Sequence, residues 1–172
     1  MKKGLTHIYT GKGRGKTSAA LGLALRALGK AYNVAIIQFM KEKKDNAIKS
    51  IEKLENCKTW QYGRKNFVDK EKPDDIDFEL AKTALRKTQE IIQKRNYKLV
   101  ILDEINVALE YGLIKKEEIG KIIDEKPDEI ELILTGRYAE KSIIQKADIV
   151  TEMKNIKHPN PKKFPAREGF EY

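Results

Sequence analysis

Three stretches of this chain are apolar for the length of a strand with almost no alternation: VAIIQFM (34–40), KLVILDE (98–104) and ELILTGR (131–137). A strand with no polar face has no side to turn towards water. It needs cover above and below, which is the situation of a parallel sheet with helices on both faces. The intervening segments supply that cover. Ala20, Leu21, Ala24, Leu25 and Leu28 recur at a helical period that stops near Gly29. Further helices are expected over 47–54, 76–94, within INVALEYGLI (105–114), over 115–123 and over 141–146. Shorter strands are expected over 5–10, at TWQYG (59–63) and at DIVTEM (148–153). This alternation predicts an α/β fold with a mainly parallel central sheet flanked by helices and right-handed crossovers. With 172 residues and no internal repeat, residues 1–172 read as a single domain. The stretch 157–172 holds three prolines and is expected to be irregular.

In such a sheet ligands bind at the carboxyl ends of the strands. Thr10-Gly11, Asp103-Glu104 and Thr135-Gly136-Arg137 all fall at such ends. The first opens YTGKGRGKTSAALGLALRALG (9–29), a glycine-rich turn between a strand and a helix. It matches the phosphate loop G-x-x-x-x-G-K-[ST] except that Thr10 holds the first position. Gly11, Gly13 and Gly15 allow backbone conformations closed to other residues, so that loop amides can face phosphate oxygens. The helix that follows adds its positive end. Lys16 offers a point charge to phosphates and Thr17 a hydroxyl to Mg²⁺. The acids closing KLVILDE, Asp103 and Glu104, have the chemistry to hold Mg²⁺ directly or through water, and the sequence leaves open which one does. Arg137 reads either as a neutraliser of phosphate charge or as a surface salt-bridge residue.

Composition narrows the classes. The net charge of +9 comes from Lys interspersed with Glu and not from a long basic block. It reads as a lysine-rich solvated surface and suits an anionic small substrate better than a nucleic-acid partner. No apolar run is long enough to span a bilayer, and the first residues lack a signal-peptide core, so a cytoplasmic protein without membrane contact is expected. Cys57, the only cysteine, excludes an internal disulfide or a cysteine zinc cluster, and nothing beside it activates a thiol. His7 and His158 are too few for a histidine-rich metal site.

Beyond the loop, VAIIQFMK, LVILDEINVALEYGLI, LILTGRYA, ADIVTEMKNIKHP and the closing AREGFEY resemble the P-loop-type corrinoid adenosyltransferases. These enzymes act on cob(I)alamin or cob(I)yrinic acid a,c-diamide. The matching stretches span nearly the whole chain. TGKGRGKT is similar to the family's TGxGKGKT, with Arg14 where lysine is common, so Thr10 is a family feature. The resemblance implies a RecA-like P-loop fold, usually a homodimer, and a reducing flavoprotein as electron donor. It implies ATP lying across Gly11, Lys12, Gly13, Arg14, Gly15, Lys16 and Thr17 in the reverse sense from most P-loop enzymes, with Mg²⁺ or Mn²⁺. Co(I) then attacks the ribose 5′-carbon and triphosphate leaves. Co(I) carries no proton, so no general base is needed. What is needed is stabilisation of the leaving triphosphate and in-line positioning of the carbon. Lys16, Thr17 and Glu104 are the expected catalytic residues, with Thr17, Glu104 and Asp103 around the metal.

The chain departs from the family pattern at two places. Many members carry an N-terminal extension that helps cover the site, whereas here a strand is expected within the first residues, so cover must be absent or come from elsewhere. Where some members have a GFTW-like stretch beside the corrinoid, this chain has YGRKNFV (62–68), with Phe67 as the nearest aromatic. Phe67 reads as a corrinoid-contacting ring or as an ordinary packed loop aromatic, and His158 as a structural tail residue in preference to a cobalt ligand, since a strong axial ligand would hinder reduction. Two other classes compete with the transferase. An ordinary ATPase or kinase would use Glu104 to position its attacking group, and a RecA-like nucleic-acid binder would exploit the positive charge.

Overall fold

The structure is a computed structural model that describes residues 3–157, 167, 169 and 170. His158 and most of AREGFEY therefore lie outside the described residues. The order of elements is β1 (Thr6–Thr10), α1 (Lys16–Gly29), β2 (Val34–Phe39), α2 (Asn46–Ile51), β3 (Cys57–Tyr62), α3 (Asp75–Lys94), β4 (Leu99–Asp103), α4 (Ile105–Glu110), α5 (Lys116–Glu125), β5 (Glu131–Thr135), α6 (Lys141–Lys146) and β6 (Ile149–Glu152).

The six strands form one sheet in the order β3-β2-β4-β5-β1-β6, and every pair is parallel. The expectation of a mainly parallel sheet thus sharpens to an entirely parallel one, a P-loop NTPase-like architecture. Alternate residues of β2 serve opposite faces. Val34 and Ile36 pack with Ala20, Leu21 and Ala24 of α1 and with Ile48 and Ile51 of α2. Ala35, Ile37 and Phe39 pack with Ala81, Ala84 and Leu85 of α3, within a cluster that also draws on α4, α5 and α6. All six β2 residues are buried, which is why the sequence there shows no alternation. Truncating Ile37, fully buried, to alanine would cost about 2–5 kcal/mol.

Boundaries moved where local signals were weak. The helix expected over 47–54 ends at Ile51, because Lys53 and Leu54 donate to the carbonyls three residues back and tighten the chain. β3 starts at Cys57, earlier than the sequence shows, because its parallel register with β2 begins at Val34 opposite Cys57. Among the described residues no helix is long and apolar enough to cross a membrane.

Candidate active site

At the carboxyl edge of the sheet the chain turns sharply after each of four adjacent strands. Gly11 after β1, Met40 after β2, Glu104 after β4 and Gly136 after β5 all have positive φ, at 95°, 58°, 63° and 130°. For Met40 and Glu104 that conformation costs about 1–2 kcal/mol each, so the surroundings hold them there. The turns fold the strand ends over one carboxylate. Asp103 is 1% exposed and accepts four hydrogen bonds. Thr17 Oγ1 (2.8 Å) and Thr135 Oγ1 (2.7 Å) donate to its Oδ1, and Gln38 Nε2 (2.8 Å) and Lys41 Nζ (2.7 Å) donate to its Oδ2. Burial pushes the Asp103 carboxyl up. The Lys41 charge and the hydrogen bonds from Lys41, Thr135 and Gln38 outweigh it and hold the group below the usual carboxylate range. Asp103 is therefore an ionised tie between β1's loop, β2, β4 and β5.

Lys16 lies in the loop with only 9% exposure. Its ammonium donates to the carbonyls of Gly11 (2.8 Å) and Gly13 (2.7 Å), across the mouth of the loop. Burial lowers its pKa, as does the Arg137 charge, against the pull of Glu104 and Asp103. Gly15, at φ 103°, caps α1 without a side-chain hydrogen bond, which leaves the helix N-terminus open to an anion. One loop amide is already engaged. Gly13 N–H donates to the Met153 carbonyl at 2.6 Å, so the chain leaving β6 straps the loop. A Cβ at Gly11 or Gly13 would lie 2.5 or 2.6 Å from that carbonyl oxygen, so these glycines make room for a crossing chain as well as for a ligand. Thr10, in place of the usual glycine, accepts from the Ala139 amide through Oγ1 at 3.2 Å and ties the loop to the segment before α6.

Glu104 differs from its neighbour. Its amide donates to Thr135 Oγ1 at 3.0 Å, and the residue lines a groove of about 590 Å³. Burial raises its pKa, as does the Asp103 charge, with Lys41, Lys16 and Arg137 acting the other way. Lys41 and Phe67 line the same groove, and the Phe67 side chain stands fully exposed at 102%. The segment bearing Phe67 is anchored by Arg64, whose Nε and an Nη donate to Asp77 at the start of α3 (2.7 and 2.8 Å). Arg137 is exposed, and its charge reaches both Lys16 and Glu104. Lys12 lines a second groove, of about 600 Å³, with Gly11 and Tyr138 on the far side of the loop. Arg14 and Gly15 are exposed on the loop surface.

The structure thus brings Lys16, Thr17, Asp103 and Glu104 to one place, with Arg137 in electrostatic range and Phe67 at the rim of the adjoining groove. Among the described residues no three His, Cys, Asp or Glu side chains cluster as a metal cage. The donors present, a Thr17 hydroxyl and a Glu104 carboxylate, instead fit a Mg²⁺ that takes its remaining ligands from substrate phosphates and water. Cys57 is remote from this edge, at the start of β3, and burial pushes its thiol up to about 11. Sequence reasoning missed Gln38 and Lys41, and placed Thr135 at this edge without its bond to Asp103. The available signal was register, since Gln38 pairs directly with Asp103 across β2 and β4.

Comparison with known proteins gives the same assignment over the whole chain. The family model for ATP:corrinoid adenosyltransferase BtuR/CobO/CobP matches residues 2–172. A corrinoid adenosyltransferase of Sinorhizobium sp. is 35% identical, over 99% of this chain and 81% of that protein. Those of Pseudomonas aeruginosa and Escherichia coli K12 are 27% and 26% identical, over 99% of this chain and 85% and 87% of theirs. With a phosphate loop, a buried acid and an aromatic-rimmed groove on one sheet edge, and a match from residue 2 to residue 172, the chain belongs to the ATP:corrinoid adenosyltransferase family.

Proposed function

We propose that this strand-end cluster carries the family's reaction, transfer of the 5′-deoxyadenosyl group of ATP to the Co(I) centre of a corrinoid, in cobalamin biosynthesis or salvage. The observation that carries the assignment of residues is the hydrogen-bonded path from Thr17 in the loop through Asp103 to Lys41 at the groove. It supports reading the phosphate cradle and the adjoining groove as one site, with the second substrate lying along the groove.

In this reading Lys16, Arg137 and the amides of the loop from Gly11 to Thr17 other than that of Gly13, which donates to Met153, hold the triphosphate, with Lys12 and Arg14 alongside. Lys16 exchanges the Gly11 and Gly13 carbonyls for phosphate oxygens. Thr17 and Glu104 hold Mg²⁺ or Mn²⁺ together with the phosphates, and the metal adds positive charge against the leaving group. Asp103 contributes from behind, because both of its oxygens are committed to donors and it orients Thr17. The corrinoid, cob(I)alamin or cobyrinic acid a,c-diamide, lies in the groove against Phe67. A reducing flavoprotein supplies the Co(I) state, and the protein works as a single-domain, cytoplasmic homodimer. No proton has to be moved. The Co(I) electron pair forms the bond to the 5′-carbon, the carbon–oxygen bond breaks, and its pair leaves on triphosphate.

The test uses chemically reduced corrinoid and ATP labelled with ¹⁸O at the 5′-bridging position. Conversion of the Co(I) spectrum to a light-sensitive alkylcobalt form is expected, with the label in triphosphate. Label retained on adenosine, or release of ADP and phosphate in step with turnover, would favour an ordinary ATPase.

A further inference from the structure

Lys41 stands out among the charged groups around Asp103. It belongs to no phosphate-loop or acidic-strand motif, yet the fold is built to aim it. Met40 holds a left-handed conformation that reverses the chain just after β2, and its amide donates to the Tyr62 carbonyl at 2.8 Å. Gly63 packs directly on the Met40–Lys41 peptide, where any Cβ would collide with the Lys41 nitrogen. The strained residue and the closely packed glycine direct the Lys41 ammonium back to Asp103 at 2.7 Å. The side chain is still 28% exposed, and it lines the same groove as Glu104. Lys41 is thus the cation at the seam between loop and groove, with one flank on the acid that orients Thr17 and the other open to the second substrate.

We infer that Lys41 is a further catalytic residue, whose ammonium binds the α-phosphate end of the triphosphate as the bond to the 5′-carbon breaks. This rests on the function proposed above. In that reaction the Co(I) pair becomes the cobalt–carbon bond, cobalt is formally oxidised to Co(III), and the pair of the breaking carbon–oxygen bond stays on the oxygen attached to α-phosphorus. The new charge therefore appears at the end of the triphosphate nearest the carbon, on the groove side of the loop. Lys16 is tied within the loop itself, through Gly11 and Gly13. Lys41 is the cation placed at the seam, and a fixed positive charge where negative charge develops lowers the barrier without reorganisation. Its hold on Asp103 keeps the ammonium in place, because the pair is partly buried and charge-assisted.

The variant Lys41→Gln removes the charge while keeping a donor for Asp103. The measurements are the single-turnover rate with preformed Co(I) corrinoid, the affinity for ATP, and the rates with ATPαS and ATPγS, which carry sulfur at the α- or γ-phosphorus. The expected result is a ~10²-fold slower transfer with little change in ATP affinity. The slowing caused by α-sulfur in the wild type should vanish in the variant, while any effect of γ-sulfur stays the same in both. A residue that served only as the counter-ion of Asp103 would leave the α-sulfur effect intact. That result, or a wild-type rate in Lys41→Gln, overturns the inference. If the glutamine variant does not fold, Lys41→Arg decides, because it keeps the pair with Asp103 but spreads its charge over a planar head. It should be slower with a reduced α-sulfur effect, and wild-type behaviour would overturn the inference. If the wild-type protein makes no cobalt–carbon bond, the functional reading falls and this inference with it. A wild-type product with unaltered Lys41 variants removes this inference alone.

Discussion

Replacing Asp103 by asparagine tests the centre of the site without changing its shape. The carboxylate is 1% exposed and its four donors leave no room for an amide hydrogen. Whichever way the new side-chain amide turned, its NH₂ would face two donors, Thr17 and Thr135 or Gln38 and Lys41. Turning towards Thr17 and Thr135 is the cheaper choice, because hydroxyls can rotate to accept. The Lys41 ammonium would then keep a hydrogen bond and lose its counter-charge. Breaking a buried pair by removing one partner costs about 3–5 kcal/mol. Lys41 is 28% exposed, which allows solvent to compensate in part. The lower end applies, about 3 kcal/mol, or roughly 6–12 °C in Tm for a chain of this size.

The pH dependence gives a second check on the same variant. Because the folded-state pKa of Asp103 lies below its unfolded value, its stabilising contribution is fully present above the unfolded pKa, about 3.9, and is lost as pH falls through the folded value. The stability gap between wild type and Asp103→Asn should therefore be constant from neutral pH down to about 5 and close at lower pH. Denaturant melts at several pH values measure both quantities. A Tm within about 2 °C of wild type at pH 7, less than a 1 kcal/mol effect would give, or a gap that does not narrow in acid, would refute the reasoning.

Other changes separate stability from function. Glu104 carries a raised pKa from burial and from Asp103, so its ionised form costs the folded state stability as pH rises above the unfolded value. Glu104→Gln should raise stability at pH 7 by ~1 kcal/mol while weakening Mg²⁺-dependent turnover, and unchanged metal dependence would remove Glu104 from the metal shell. Lys16→Ala should lower turnover by ~10²-fold or more with an unchanged circular dichroism spectrum, and near-normal turnover of the folded variant would rule out the loop assignment. Asn106 is fully buried, and among the described residues neither of its side-chain polar atoms has a hydrogen-bond partner. Asn106→Leu should therefore be neutral or stabilising in a thermal melt, since an unpaired buried amide costs about 1–3 kcal/mol, and a clear loss of Tm would mean that the amide has a partner.

The loop and its acid were legible because both are local patterns, a strand followed by glycines and a strand followed by acids. The parallel sheet was legible because its central strands have no polar face. The partners of Asp103 were not. Gln38, Lys41 and Thr135 lie 65, 62 and 32 residues from it and converge only once β2, β4 and β5 are set side by side. The chemistry of each acid was legible as well, but not the split between them. Burial and hydrogen bonding make Asp103 an anchored anion and leave Glu104 facing the groove, and neither condition is written in the dipeptide.

The strap across the phosphate loop bears on how damage there propagates. Among the described residues β6 is an edge strand, held on one side by β1. Its continuation is fastened to the loop through the Gly13–Met153 bond and through Met153 N–H to the Thr10 carbonyl at 2.8 Å. A side chain placed at Gly11 or Gly13 would push on the Met153 carbonyl and begin to peel this edge from the sheet. Two faults of different kinds, a spoiled anion cradle and a loosened last strand, would then appear in one mutant. The same fastening runs the other way. A movement of Gly13 on taking up triphosphate has to be followed by residues 153–155, so amide exchange at Met153 reports occupancy of the loop from outside the pocket.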